Sequence, residues 1–86
     1  MPTYYAYLLE CSDGSYYAGW TSDPDRRLEE HRRGQGSRYT RSRRPLRLVY
    51  TASYATRSEA MKAERALKRL SHAQKASLAE TQEFNP

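Results

Sequence analysis

Apolar and aromatic positions fall into runs whose spacing predicts the secondary structure. The first run, Thr3 to Cys11, holds Tyr4, Tyr5, Ala6, Tyr7, Leu8 and Leu9 without Gly or Pro, which predicts a strand. Ser12-Asp13-Gly14 is a turn sequence, and the aromatic run Ser15 to Thr21 follows at once, so the two form a β-hairpin. Two registers are open. With Asp13-Gly14 as a two-residue turn, Tyr17 faces Glu10, and Tyr7 and Tyr17 fall on opposite faces of the sheet. With Ser12-Asp13-Gly14 as a three-residue loop and Gly14 left-handed, Tyr17 faces Leu9, Tyr7 faces Gly19, and both phenols share a face. The second is favoured, because it sets the Tyr7 ring against a residue without a side chain.

Asp23-Pro24 opens a helix: the carboxylate accepts from first-turn amides, and proline's missing N–H is harmless there. This helix is expected over Pro24 to Arg33, with Gly34 ending it, Leu28 as its only large apolar residue, and Arg27 and His31 on one face. Gly34 to Pro45 shows no helical or strand period and reads as a loop of a dozen residues. Leu46 to Tyr54 predicts a third strand. Thr56-Arg57-Ser58-Glu59 matches a capping box before a helix from Arg57 to Leu70, whose buried stripe is Ala60, Ala63, Leu67 and Leu70. Ser71-His72-Ala73-Gln74 repeats the pattern and opens a last helix to about Glu80, leaving residues 81–86 as a frayed tail. The fold class is therefore a small α/β domain of order β-β-α-β-α-α, with a three-stranded, mainly antiparallel sheet flanked by helices.

Composition narrows the partners. The chain has 86 residues, room for one domain and one modest core. No stretch approaches the length of a membrane span, and the start lacks the layout of a signal peptide, so a soluble cytoplasmic protein is expected. One cysteine excludes an internal disulfide, and with two histidines it cannot complete a zinc site of about four Cys/His ligands. The net charge of +5 is uneven. No acidic residue lies between Glu30 and Glu59, while Arg32, Arg33, Arg38, Arg41, Arg43, Arg44, Arg47 and Arg57 do. Such a segment points to a polyanion, and arginine suits phosphate oxygens.

Candidate chemistry is sparse. Cys11 lies at a strand end with nothing to activate it, and Gly34-Gln35-Gly36 lacks the rest of a P-loop. His72 reads as a surface histidine. Glu64 flanks the apolar stripe of its helix, where a carboxylate needs a partner: either Lys68 one turn on, or a hard cation such as Mg²⁺. Tyrosine supplies 8 of the 10 aromatic residues, five of them in the hairpin, and Tyr39 stands among the loop arginines. An aromatic ring beside Arg38, Arg41, Arg43 and Arg44 is the combination that stacks an exposed base while holding the backbone.

Tyr5-Ala6-Tyr7, followed ten residues later by Tyr17-Ala18-Gly19, resembles the paired motif of the GIY-YIG endonuclease superfamily. The resemblance continues through Trp20-Thr21, Asp25 to His31, the Gly-Ser-Arg-Tyr-Thr loop, Leu48-Val49-Tyr50, and Arg57 to Glu64, and is greatest to compact stand-alone bacterial members. It implies hydrolysis of a DNA phosphodiester with one divalent ion, Mg²⁺ or Mn²⁺. By position it implies Tyr7 and Tyr17 as the motif tyrosines, Arg27 as the helix arginine, His31 as the histidine one turn on, and Glu64 as the metal-binding glutamate. Either tyrosine is open as the base. Tyr5-Ala6 replaces Gly-Ile, and Trp20 stands where the excision-repair branch has a lysine. No asparagine follows the glutamate helix where several members carry one. Single-stranded or branched DNA is expected over intact duplex, bound by Arg38, Tyr39, Arg41, Arg43 and Arg44, with a monomer favoured. The alternative is a non-catalytic basic nucleic-acid-binding module that keeps the fold.

Overall fold

The computed structural model describes residues 2–83. Its elements are β1 (Tyr4–Cys11), β2 (Tyr16–Thr21), α1 (Pro24–Arg32), α2 (Arg38–Arg41), β3 (Pro45–Tyr54), α3 (Arg57–Arg69) and α4 (His72–Glu83). The expected order holds, with the one-turn α2 added inside what the sequence reads as loop. The three strands form one antiparallel sheet in the order β2-β1-β3.

The central position of β1 explains its composition. A strand covered on both faces is apolar at successive positions, and Ala6, Tyr7, Leu8 and Leu9 are all buried. Ala6 and Leu8 point to one face and join Ala18, Val49, Leu67 and Ala79 in the core that α3 and α4 cover. Tyr7 points to the other face, toward α1. The hairpin takes the three-residue loop: Tyr7 pairs with Gly19, Leu9 with Tyr17, and Gly14 is left-handed at φ +84°.

Each helix starts where its cap is. The Asp23 carboxylate accepts from the Arg26 N–H at 3.2 Å. Thr56 Oγ1 accepts from the Glu59 N–H at 3.2 Å and donates to the Glu59 carboxylate at 3.1 Å. Ser71 and Gln74 exchange both bonds of a capping box, at 2.9 and 3.1 Å. Helix α1 closes one residue before the expected Arg33, with Gly34 at φ +79° turning the chain. Helix α4 passes Glu80 and runs to Glu83, so only the last three residues of the expected frayed tail remain, and they lie outside the described residues. Among the described residues no helix is long and apolar enough to cross a membrane.

The reading of residues 34–45 as plain loop is corrected. Ser37 Oγ caps the turn by accepting from the Thr40 N–H at 3.1 Å, and Thr40 is completely buried. A four-residue helix spans about one turn, too little for an apolar period to show.

Candidate active site

The site begins with the hairpin register. Because Gly19 faces Tyr7, the hydroxyl end of the phenol packs on β2 where any Cβ would overlap it. The ring then reaches α1, and Tyr7 Oη lies 3.0 Å from His31 Nε2. His31 is fully buried, its Nδ1 2.7 Å from Thr40 Oγ1. Thr40 Oγ1 is also 3.3 Å from the Ser37 carbonyl, to which a hydroxyl can only donate. With the Thr40 proton placed on that carbonyl, Thr40 accepts from His31 Nδ1–H and from Ser37 Oγ at 3.0 Å, and Nε2 is the acceptor for the Tyr7 O–H. This assignment of the tautomer follows from the network. Gly36 closes over the imidazole, since a Cβ there would fall inside the ring.

Both groups are neutral near pH 7. Burial, reinforced by the Arg27 charge, pushes the His31 imidazole down to about 4. Burial pushes the Tyr7 phenol up to about 12; hydrogen bonding with Arg27 opposes that shift, and Tyr17 and Glu64 add to it. Arg27 is held at two points, donating to Glu30 Oε1 at 3.0 Å and to the Gly36 carbonyl at 3.1 Å. Its hydrogen bond draws the Glu30 carboxyl below the usual range.

Tyr7, Tyr17, Arg27 and Glu64 line one open cavity of about 360 Å³, with Gly19 and Trp20 of β2 between them. His31 stands behind the two phenols, its ring centroid 5.1 Å from that of Tyr17. Helices α1 and α3 lie on opposite faces of the sheet, yet both reach this cavity because β2 is an edge strand and the cavity wraps its edge. The structure shows the Lys68 pairing that the spacing of Glu64 offered. Its carboxylate faces the cavity and also sits 3.9 Å from Lys68 Nζ.

The donor set fits one type of ion. Glu64 is the cavity carboxylate not tied to Arg27, and among the described residues no three His, Cys, Asp or Glu side chains gather as a metal cluster. One carboxylate with open space suits Mg²⁺ or Mn²⁺ completed by water and phosphate oxygens, and does not suit zinc.

The five loop residues expected to bind nucleic acid stand outside the cavity. The Arg43 guanidinium lies 4.0 Å over the Tyr39 ring and pairs with Asp13 at 3.1 Å. Tyr39 also packs on Tyr17, centroids 5.8 Å apart. The open stacking face expected of Tyr39 is thus taken, and the ring braces Tyr17 instead. Arg44 donates to the Arg32 carbonyl at 2.7 Å and Arg41 to that of Gly34 at 3.4 Å, so these arginines fasten the loop. Arg38 is exposed.

Sequence reasoning missed Ser37, Thr40 and Gly36. The available signal was Ser37-Arg38-Tyr39-Thr40, a hydroxyl three residues before another, which is a capping pattern inside the apparent loop. Cys11 is buried with its thiol pushed up by desolvation, which excludes it as an activated nucleophile. His72 is exposed and its Nε2 lies 2.8 Å from the Gly14 carbonyl, bracing the hairpin turn.

Residues 3–77 match the family model of the GIY-YIG catalytic domain, and the chain belongs to that family. Its relatives are UPF0213 proteins. One from Halobacterium salinarum is 49% identical over 75 residues, covering 87% of this chain and 97% of the relative. One from Enterococcus faecalis is 51% identical over 75 residues, covering 85% of each. The solution NMR structure of the UPF0213 protein from Bacillus halodurans superposes with a TM-score of 0.58 at 43% identity, over 96% of this chain and 88% of that one. An NMR structure of an E. faecalis protein gives 0.60 at 42% identity, over 100% and 92%.

Proposed function

We propose that the protein is a divalent-metal-dependent endonuclease that hydrolyses DNA phosphodiester bonds at the Tyr7–Glu64 cavity. The observation that carries this reading is the 3.0 Å bond from the Tyr7 phenol to a neutral His31, beside a cation and a carboxylate that face the same space. A divalent ion held by Glu64 would supply Lewis acidity at the phosphate and positive charge that eases ionisation of a nearby phenol.

The remaining work falls to the chain. Arg27, oriented by Glu30 and Gly36, binds the non-bridging oxygens and offsets the charge that builds on them. A water in the cavity gives its proton to Tyr7 Oη as the Tyr7 proton passes to His31 Nε2, and once the bond to phosphorus has formed His31 returns that proton through Tyr7 to the cavity solvent, so proton number is conserved and the buried imidazole does not keep the charge. The water oxygen bonds to phosphorus, the bond to the leaving oxygen breaks, and solvent in the open cavity protonates that oxygen. Of the two motif tyrosines, Tyr7 has the acceptor for its own proton. Tyr17, on the cavity wall, orients the water or the phosphate.

Labelled single-stranded, double-stranded and branched DNA, and RNA, incubated with Mg²⁺, Mn²⁺ or chelator, test this reading. Cleavage is expected only with metal. Glu64→Ala should cut at least about 100-fold more slowly, beyond the 10–100-fold typical of losing an outer-shell partner, while binding survives. A Glu64→Ala variant that cuts like its parent overturns the assignment. Binding without cutting by the parent selects the non-catalytic module. The expected preference for single-stranded or branched DNA draws on the resemblance and on stacking by Tyr39; with Arg43 on that ring, the comparison of substrates decides it.

A further inference from the structure

Helix α3 carries a second concave surface that the site above does not use. Tyr4, Arg57, Ser58, Met61, Lys62 and Arg65 line a cavity of about 490 Å³, within the range of roughly 300–1,000 Å³ that holds small ligands. Arg57, Lys62 and Arg65 are exposed, and among the described residues none has an acidic partner. Their charge therefore contrasts with that of Arg41, Arg43 and Arg44, which is directed onto the protein's own carbonyls and Asp13.

The placement of this surface is directional. At about 100° per residue, the buried stripe of α3 is Ala60 and Leu67, Glu64 stands on its flank, and Arg57, Met61 and Arg65 continue from Glu64 around the same side. One aromatic residue, Tyr4, lines this cavity, and Trp20 stands beside it. Trp20 lines the catalytic cavity, the Arg57 guanidinium lies 5.9 Å from its ring centre, and Tyr4, which lines the second cavity, is 6.5 Å from it. A chain of contacts, Trp20 to Arg57 and Tyr4, thus joins the two cavities.

We infer that this groove binds the DNA strand flanking the bond to be cut, with Arg57, Lys62 and Arg65 on successive phosphates and a base against Tyr4. Exposed cations grouped beside an aromatic ring make the surface that a flexible phosphodiester strand recognises. The inference rests on the nuclease reading for the strand's origin, and it moves the main phosphate contacts from the arginine loop to α3.

The test is binding of a fluorescent oligothymidylate in chelator, where no cutting is possible, at several salt concentrations. Each lost phosphate contact lowers the salt slope for a single strand by about 0.7, and affinity by about 5-fold at 0.1 M salt. The triple variant Arg57→Ala, Lys62→Ala, Arg65→Ala should bind about 100-fold more weakly with a slope reduced by about 2. Alanine keeps the helix, and circular dichroism verifies it. Arg41→Ala and Arg44→Ala together should shift the slope by less than one contact. Tyr4→Leu should weaken binding with its slope unchanged; parental affinity there would overturn the place given to the base. An α3 triple variant with parental affinity and slope overturns the inference, even if the parent cuts DNA. A parent that binds through α3 and never cuts keeps the inference and overturns the nuclease reading.

Discussion

Tyr7 and His31 are two neutral groups holding one proton between them, and their burial makes stability depend on pH in opposite directions. The folded imidazole titrates near 4 and the unfolded one near 6.5, so between those values the unfolded chain binds the extra proton. This contribution is fully present above about 6.5 and is lost as the pH falls toward 4, by on the order of 3 kcal/mol. Tyr7 acts at the other end. Its folded phenol keeps the proton up to about 12 against about 10 unfolded, so stability also falls as pH rises through that window. Urea denaturation between pH 4 and 8 should show the acid slope in the parent and a flatter one in His31→Gln; equal slopes would refute the burial argument. His31 was legible as a candidate from its place one turn after Arg27. Its neutrality was not, because that comes from Thr40, Ser37 and Gly36 closing over it.

Among the elements, the β1–β2 hairpin shows how a residue without a side chain places the Tyr7 phenol. Gly14 and Gly19 separate two uses of glycine. Gly14 is needed for its left-handed backbone, and a Cβ there meets nothing within 4 Å. Gly14→Ala should therefore cost about 1–2 kcal/mol through the backbone alone and leave cleavage unchanged. Gly19→Ala drives a methyl into the Tyr7 ring and should cost about 1–3 kcal/mol as overpacking. It should also abolish cleavage, because the ring must leave His31. Denaturant melts and a cleavage assay on both variants check the contrast, and equal effects on cleavage would contradict it. The hairpin register and the caps at Asp23, Thr56 and Ser71 could be read from the chain because each depends on residues within a few positions. The one-turn α2 offered only its Ser37–Thr40 capping pattern and no apolar period, because what holds it is the buried His31–Thr40 bond.

For the whole molecule, the cavity depends on packing far from the chemistry. Glu64 arrives on α3, whose anchor Leu67 sits in the core between α3 and the sheet. Leu67→Ala should cost about 2–5 kcal/mol, a large part of the 5–15 kcal/mol that typically holds a fold. It should slow cleavage in proportion to the loss of folded protein, which a urea melt and the rate per folded molecule separate. A lower rate per folded molecule would show that α3 shifts within the native state. The three strands, the three long helices, the favoured hairpin register and the residue types the chemistry needs could all be read along the chain, since caps, turns and apolar periods act over one or two turns. Only the tertiary structure decided how they meet. The Tyr7–His31 bond joins residues 24 apart, and Arg43 finds Asp13 across 30. Whether an arginine faces solvent or its own protein depends on such distant partners. The basic loop that dominates the sequence is largely fastened to the fold, while Arg57, Lys62 and Arg65 on α3 have no acidic partner among the described residues, because charge along a chain says nothing of which opposite charge or carbonyl folding brings beside it.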